Sequence, residues 1–219
     1  MPSIYNNRKP FVVSWDLNSL CTYSCSYCPP DLHKGKNFMY SKEGDPGIVR
    51  KFLGDLLSQI GNRNVHIFLN GGEPTIAPAF DTIIDFGFQA GWKVYVNTNC
   101  SRSMRYWREN VHKIFGVNIS YHPEEAPDTI VDKIKFMQDK TNLSVFVLMH
   151  PPMWDKSYNM YNTLLGFKDV NLAASRVFKR DIINNMGKEE SYFYNEEQEA
   201  WLFNHSSIRL AENIFKTTG

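Results

Sequence analysis

None of the apolar runs in this 219-residue sequence approaches the roughly 20 residues needed to cross a bilayer. The opening decapeptide MPSIYNNRKP lacks the apolar centre of a secretory signal. Both absences point to a soluble, cytoplasmic protein with no membrane partner. Net charge is nearly absent too, 24 Lys and Arg against 23 Asp and Glu for a formal +1. A balance so close to neutral gives no electrostatic ground for sequence-independent nucleic-acid binding, so nucleic acid is not indicated. There is no internal repeat and no low-complexity linker, and the length is short for two ordinary domains, so a single domain is expected. Cysteine is scarce, with 4 in the chain. Three of them fall within eight residues, which favours metal ligation in a reducing compartment over disulfides.

What the chain does have is alternation. Strand-like runs at 11–16, 65–70, 92–97, 117–122, 143–150 and 169–174 are separated by amphipathic helical stretches near 45–60, 78–90, 102–115, 129–139 and 156–167. Six strands alternating with helices in this order predict an α/β fold, a partial (β/α)6 TIM-like barrel of parallel strands. Period-two alternation places Asn118, Ser120 and His122 on one face of the fourth strand and Val117, Ile119 and Tyr121 on the other, so the polar set is expected to face the lumen. Asp16, Asn70, Asn97, His122 and His150 fall at predicted strand ends, where an α/β barrel gathers its ligands. From about residue 184 the rhythm stops, and 196–203 and 208–216 read as helix. Residues 1–183 are therefore expected to form the barrel, with 184–219 a short helical C-terminal extension packed on the same domain. The aromatic run Tyr192, Phe193, Tyr194 is a candidate lid, although a structural role in closing the barrel is the simpler expectation.

After the first strand comes Cys21-Thr-Tyr-Ser-Cys25-Ser-Tyr-Cys28, a C-x3-C-x2-C spacing. Thiolates this close in sequence can converge on one soft metal centre, and three of them complete three irons of a cubane, leaving the fourth open to a ligand. A structural zinc site would usually add a second Cys/His pair, for which His33 is the nearby candidate. The spacing, with aromatic Tyr27 before the last cysteine, resembles that of the radical S-adenosylmethionine (SAM) superfamily. The resemblance implies a [4Fe-4S] cluster on Cys21, Cys25 and Cys28, SAM chelated at the open iron, and reductive cleavage of SAM to a 5′-deoxyadenosyl radical. It also implies a reductant such as flavodoxin or ferredoxin.

The second strand runs into Gly71-Gly72-Glu73-Pro74-Thr75. Paired glycines allow close approach of backbone to a ligand, and the carboxylate can accept from an ammonium group. On its own this is a turn that starts the next helix; following strand two and the cysteine motif, it resembles the family segment that holds the SAM amino group. By the same resemblance Tyr27, Asn97, Thr98, Asn99 and Ser120 are candidate cofactor contacts, against the plain alternative of polar caps on strand ends. His122 and His150 are candidate acids, bases or substrate contacts facing the same opening, or ordinary hydrogen-bonded histidines. Cys100 reads as a packed small residue, although the start of a helix would lower its pKa. With one cysteine outside the triad, a cysteine-rich auxiliary-cluster domain is not expected within these residues.

The expected function is hydrogen abstraction from an unidentified substrate, a small molecule such as a nucleotide or its precursor ahead of a peptide or protein. Two alternatives stand beside it: a non-catalytic iron-sulfur electron carrier, and a zinc-stabilised binding module.

Overall fold

The computed structural model describes residues 9–28, 44–61, 63–180 and 189–206. Six strands form one sheet: β1 (Phe11–Asn18), β2 (Val65–Gly71), β3 (Lys93–Thr98), β4 (Gly116–Tyr121), β5 (Asn142–Leu148) and β6 (Val170–Ser175). They lie in sequence order, and every neighbouring pair is parallel. Between them run α1 (Pro46–Ile60), α2 (Phe80–Gln89), α3 (Met104–Asn110), α4 (Ile130–Met137) and α5 (Trp154–Leu164). This is the expected α/β partial barrel.

The strands read as strands because their apolar positions, many of them β-branched, recur every second residue. Val65, Ile67 and Leu69 on β2, Val94 and Val96 on β3, Val117, Ile119 and Tyr121 on β4, and Leu143, Val145 and Val147 on β5 are at most 1% exposed. They meet Phe80, Ile83, Ile84, Trp107, Ile130, Ile134 and Met137 from the covering helices in one core. The opposite, concave face carries the alternate residues. Register aligns Asp16 with Asn70, and Asn97 with Asn118, Ser144 and Asn171, and side-chain hydrogen bonds join the two sets into one polar row. Asn118 Nδ2 donates to Asn97 Oδ1 at 2.8 Å, Asn97 Nδ2 donates to Asn70 Oδ1, and Asn70 Nδ2 donates to Ser14 Oγ at 3.1 Å. Asn118 and Ser120 thus take the face opposite Val117 and Ile119, as the alternation predicted.

Helix boundaries follow local chemistry. Asp45 caps α1, accepting from Gly47 N and Ile48 N, with Pro46 in the first turn. Ser103 caps α3, and the stretch expected as one helix over 102–115 instead breaks into α3 and a 3-10 turn (Val111–Lys113).

The sequence did not foreshadow an antiparallel pair, β7 (Phe178–Arg180) with β8 (Glu189–Ser191). Beyond it α6 (Glu196–His205) starts in a capping box between Asn195 and Gln198. Tyr194 and Leu202 share the main core. The Tyr194 hydroxyl donates to Met149 O and accepts from Val177 N, both at 2.9 Å, so this aromatic residue anchors the segment, whereas neighbouring Phe193 is 87% exposed. The second expected tail helix, 208–216, lies outside the described residues, as does His33. No helix among the described residues is long and apolar enough to cross a membrane.

Candidate functional site

β1 ends in a register shift between Asp16 and Asn18, and the chain then turns over the carboxyl ends of the strands as the cysteine loop. Its start is tied to the end of β2: Gly72 N donates to Asn18 O at 2.9 Å and Glu73 N to Leu20 O at 2.7 Å, and Asn18 Nδ2 donates to Glu73 O at 3.3 Å. This contact explains the two glycines. A Cβ on Gly71 would lie 2.1 Å from Asn18 O, and one on Gly72 2.2 Å from Leu20 O. The close approach these glycines permit within the structure is of chain to chain.

Glu73 is turned into the protein. Its carboxylate has no exposed surface. Oε1 accepts from Thr75 N at 3.1 Å, Thr75 Oγ1 at 2.5 Å and Thr98 Oγ1 at 2.8 Å, while Oε2 accepts from Asn99 N at 2.7 Å. Burial pushes its pKa up and the four donors pull against that shift. The side chain closes the 3-10 turn (Pro74–Ile76) and joins it to the end of β3. Pro74 is the first residue of that turn and is buried.

Asn99 carries the link on to the cysteines. Its Nδ2 donates to Cys21 Sγ at 3.4 Å and to Thr22 Oγ1 at 3.1 Å, and its carbonyl accepts from the Tyr23 hydroxyl at 3.4 Å. Tyr23 N also donates to Cys21 Sγ at 3.4 Å. Next in sequence, Cys100 adopts a left-handed φ of 58° and has no exposed surface. Buried Lys133 donates to its carbonyl at 2.8 Å. Burial pushes the Cys100 thiol up to about 12, and the helix begins at Met104, so the reactive alternative, a pKa lowered by a helix start, does not apply. Thr98 faces Glu73; Asn97 lies on the concave face in the asparagine row. Ser120 sits on the same face of β4, in register with Phe146.

The second half of the loop meets residues that follow β4. His122 Nδ1 is 3.0 Å from the Tyr27 hydroxyl and 3.4 Å from Cys25 Sγ, with the Tyr27 and His122 rings stacked. His150 packs edge-on against Tyr27 and Tyr192. The two histidines are thus brought together on one tyrosine. His150 is 2% exposed, its ring nitrogens make no hydrogen bond among the described residues, and burial lowers its pKa against the pull of Glu124. Two residues the sequence reading passed over complete the contact. Glu124 accepts from Ser26 N and Ser26 Oγ, both at 2.6 Å, and Glu125 accepts from Ser24 N at 3.2 Å. Their signal was present, since His122-Pro123-Glu124-Glu125 follows the predicted fourth strand on the expected active face.

Cys21, Cys25 and Cys28 lie in this one loop. Cys25 and Cys28 are hydrogen-bonded through their side chains, and that bond, then burial, raises the Cys25 thiol; burial raises Cys21. Thiols held this way lose their protons on binding metal. Among the described residues no set of three His, Cys, Asp or Glu side chains is gathered closely enough for one metal ion. A cavity of about 530 Å³, lined by Trp154, Lys156, Tyr158, Glu197 and Trp201, belongs to α5 and α6 and includes no cysteine.

No model of a known protein family matches the chain, and no curated protein matches it. Solved structures do. Streptococcus suis SuiB is 13% identical, with a TM-score of 0.58 over 96% of this chain and 48% of that one. SuiB bound to S-adenosylmethionine gives 13%, 0.57, 95% and 47%. SuiB bound to the precursor peptide SuiA gives 14%, 0.55, 95% and 46%. The chain spans about half the length of these structures and shares their fold.

Proposed function

We propose that the protein is a radical SAM enzyme that binds a [4Fe-4S] cluster through Cys21, Cys25 and Cys28 and abstracts hydrogen from a substrate. The observation that carries this reading is the cysteine loop itself: three thiols of C-x3-C-x2-C spacing on one turn at the carboxyl end of β1, braced by segments from β2, β3 and β4. Three thiols on one short loop complete three irons of a cubane and leave the fourth open to a ligand, whereas a structural zinc site ordinarily takes four protein ligands. When bound, the cluster supplies the electron that cleaves SAM to the 5′-deoxyadenosyl radical. The chain's own residues hold and shield it. Asn99 and Tyr23 N donate to Cys21, Tyr27 and His122 cover Cys25, and the 71–74 segment would meet SAM through its backbone, since the Glu73 carboxylate is engaged. We assign Asn97, Thr98, Asn99 and Ser120 to the surroundings of the cofactor, with Thr98 acting through Glu73. His122 and His150, next to Tyr27, would serve as acid, base or substrate contact.

A small-molecule substrate agrees with the polar row on the concave face. A peptide substrate is the second reading, favoured by the SuiB structure bound to a precursor peptide. A flavodoxin or ferredoxin in the cytoplasm would supply electrons.

The test is anaerobic reconstitution with iron and sulfide, followed by SAM and dithionite. The expected result is visible absorption with about four irons per chain and release of 5′-deoxyadenosine. Alanine at Cys21, Cys25 or Cys28 should abolish both, and Cys100→Ala should keep both. A loaded cluster without 5′-deoxyadenosine would favour the electron carrier; zinc in place of iron would favour the binding module.

A further inference from the structure

The loop treats its two halves differently. In the first half, N–H groups of Tyr23 and Asn99 point at Cys21 sulfur. In the second half, the backbone N–H groups of Ser24 and Ser26, which flank Cys25, point away to carboxylates: Ser26 N to Glu124 Oε2 at 2.6 Å, Ser24 N to Glu125 Oε1 at 3.2 Å. Glu124 Oε1 takes the Ser26 hydroxyl as well and lies 3.3 Å from His150 Nδ1. Lys156 backs the carboxylate segment by donating to Pro123 O at 2.7 Å. Among the described residues, neither Glu124 nor Glu125 is in an ion pair with Lys or Arg.

We infer that Glu124 and Glu125 are positioning residues that clamp the Cys25–Cys28 half of the loop and hold the potential of its cluster low. The inference rests on the cluster reading above. Iron-sulfur potentials follow net charge, hydrogen bonds to sulfur and exposure. Two carboxylates beside the loop oppose the arrival of an electron. The N–H groups they occupy are also withheld from cluster sulfur, where donation would stabilise the reduced form. Both effects act in the same direction, toward a stronger reductant, which is what cleavage of a sulfonium bond requires. The bonds to Ser24 and Ser26 are charge-assisted, so the same side chains fix the loop geometry.

Glu→Gln separates the two roles, because glutamine keeps an acceptor oxygen for the loop N–H but drops the charge. Potentiometric titration of the reconstituted full-length protein, followed by the electron paramagnetic resonance of the reduced cluster in the absence of SAM, reads the potential directly. Glu124→Gln and Glu125→Gln should retain iron and sulfide and raise the midpoint potential. The expected shift is about tenfold in the one-electron equilibrium, ~59 mV, with a larger shift in the double variant. Glu109→Gln, on the exposed side of α3 and paired with Arg105, should leave it unchanged. If Glu124→Gln does not load iron, Glu125→Gln, with its single bond to Ser24, remains to decide. Parent-like potentials in loaded Gln variants, or an equal shift in Glu109→Gln, overturn the inference and leave the cluster reading standing. A parent protein that takes up no cluster overturns both.

Discussion

Glu73 has no exposed surface and four hydrogen-bond donors on its two oxygens, two of them backbone amides. A carboxylate so placed is part of the scaffold whatever else the segment does. Glu73→Gln replaces one acceptor oxygen by an NH2 group that must face a donor, leaving a buried group unpaired at a cost of about 1–3 kcal/mol. For a chain of this size that lowers Tm by roughly 2–4 °C for each kcal/mol. The measurement is thermal unfolding of the metal-free protein, where SAM and cluster play no part; a parent-like Tm would mean that the four bonds do not form in solution. The sequence made Gly71-Gly72-Glu73-Pro74 visible as a segment but not the direction of its carboxylate. That direction is set by Thr98 and Asn99, about 25 residues on, and no local pattern reports such a contact. Glu124 and Glu125 were overlooked for a related reason. A pair of adjacent acidic residues in a loop usually marks a solvated surface, and here the partners are about 100 residues upstream.

At the scale of elements, the site is a loop held by the ends of three strands. β2 grips its start through backbone, β3 reaches Cys21 through Asn99, and the segment after β4 grips Cys25 to Tyr27. The β2 contact admits no side chain, which yields a sharp contrast between two glycines. Gly72→Val drives a Cβ toward Leu20 O at 2.2 Å, backbone against backbone, so the cysteine loop has to move. Iron loading should fall severely although all three cysteines remain, and the metal-free protein should lose several kcal/mol, on the order of other overpacked buried positions. Gly91 has a φ of +68° but open space around its Cα, so Gly91→Ala should cost only about 1 kcal/mol and load iron normally. Iron analysis after reconstitution, with melting curves, checks both. Normal loading in Gly72→Val would show that the loop does not depend on this contact. Strand positions were legible because each strand carries apolar residues at every second position. β7 and β8, three residues each, are too short to show such a period. The 3-10 break after α3 was hidden by residues that continue the helical pattern.

Across the whole molecule, the order and direction of the six strands followed from the βα rhythm, because parallel strands joined by helices have few alternative arrangements. The extension was harder to place, since α6 is only weakly amphipathic and its attachment depends on particular side chains. We read 189–206 as part of the barrel's folding unit. Leu202 and Tyr194 lie in the main core, Trp201 packs on Trp154, Tyr158 and Tyr161 of α5, and Ser206 bridges Ala174 of β6. Tyr194 is the test point because its hydroxyl joins the chain after β5, at Met149 O, to the chain after β6, at Val177 N. Tyr194→Phe preserves the ring but leaves that N–H and carbonyl unpaired in a buried place, a loss of about 1–3 kcal/mol. If extension and barrel unfold together, far-ultraviolet circular dichroism and tryptophan fluorescence, to which Trp154 and Trp201 contribute at this junction, should give coincident transitions in the parent. In Tyr194→Phe both should move to lower temperature by the same amount. A fluorescence transition that precedes the loss of helix, in parent or variant, would mean that α6 detaches independently, and the extension would then be a separate, weakly held element.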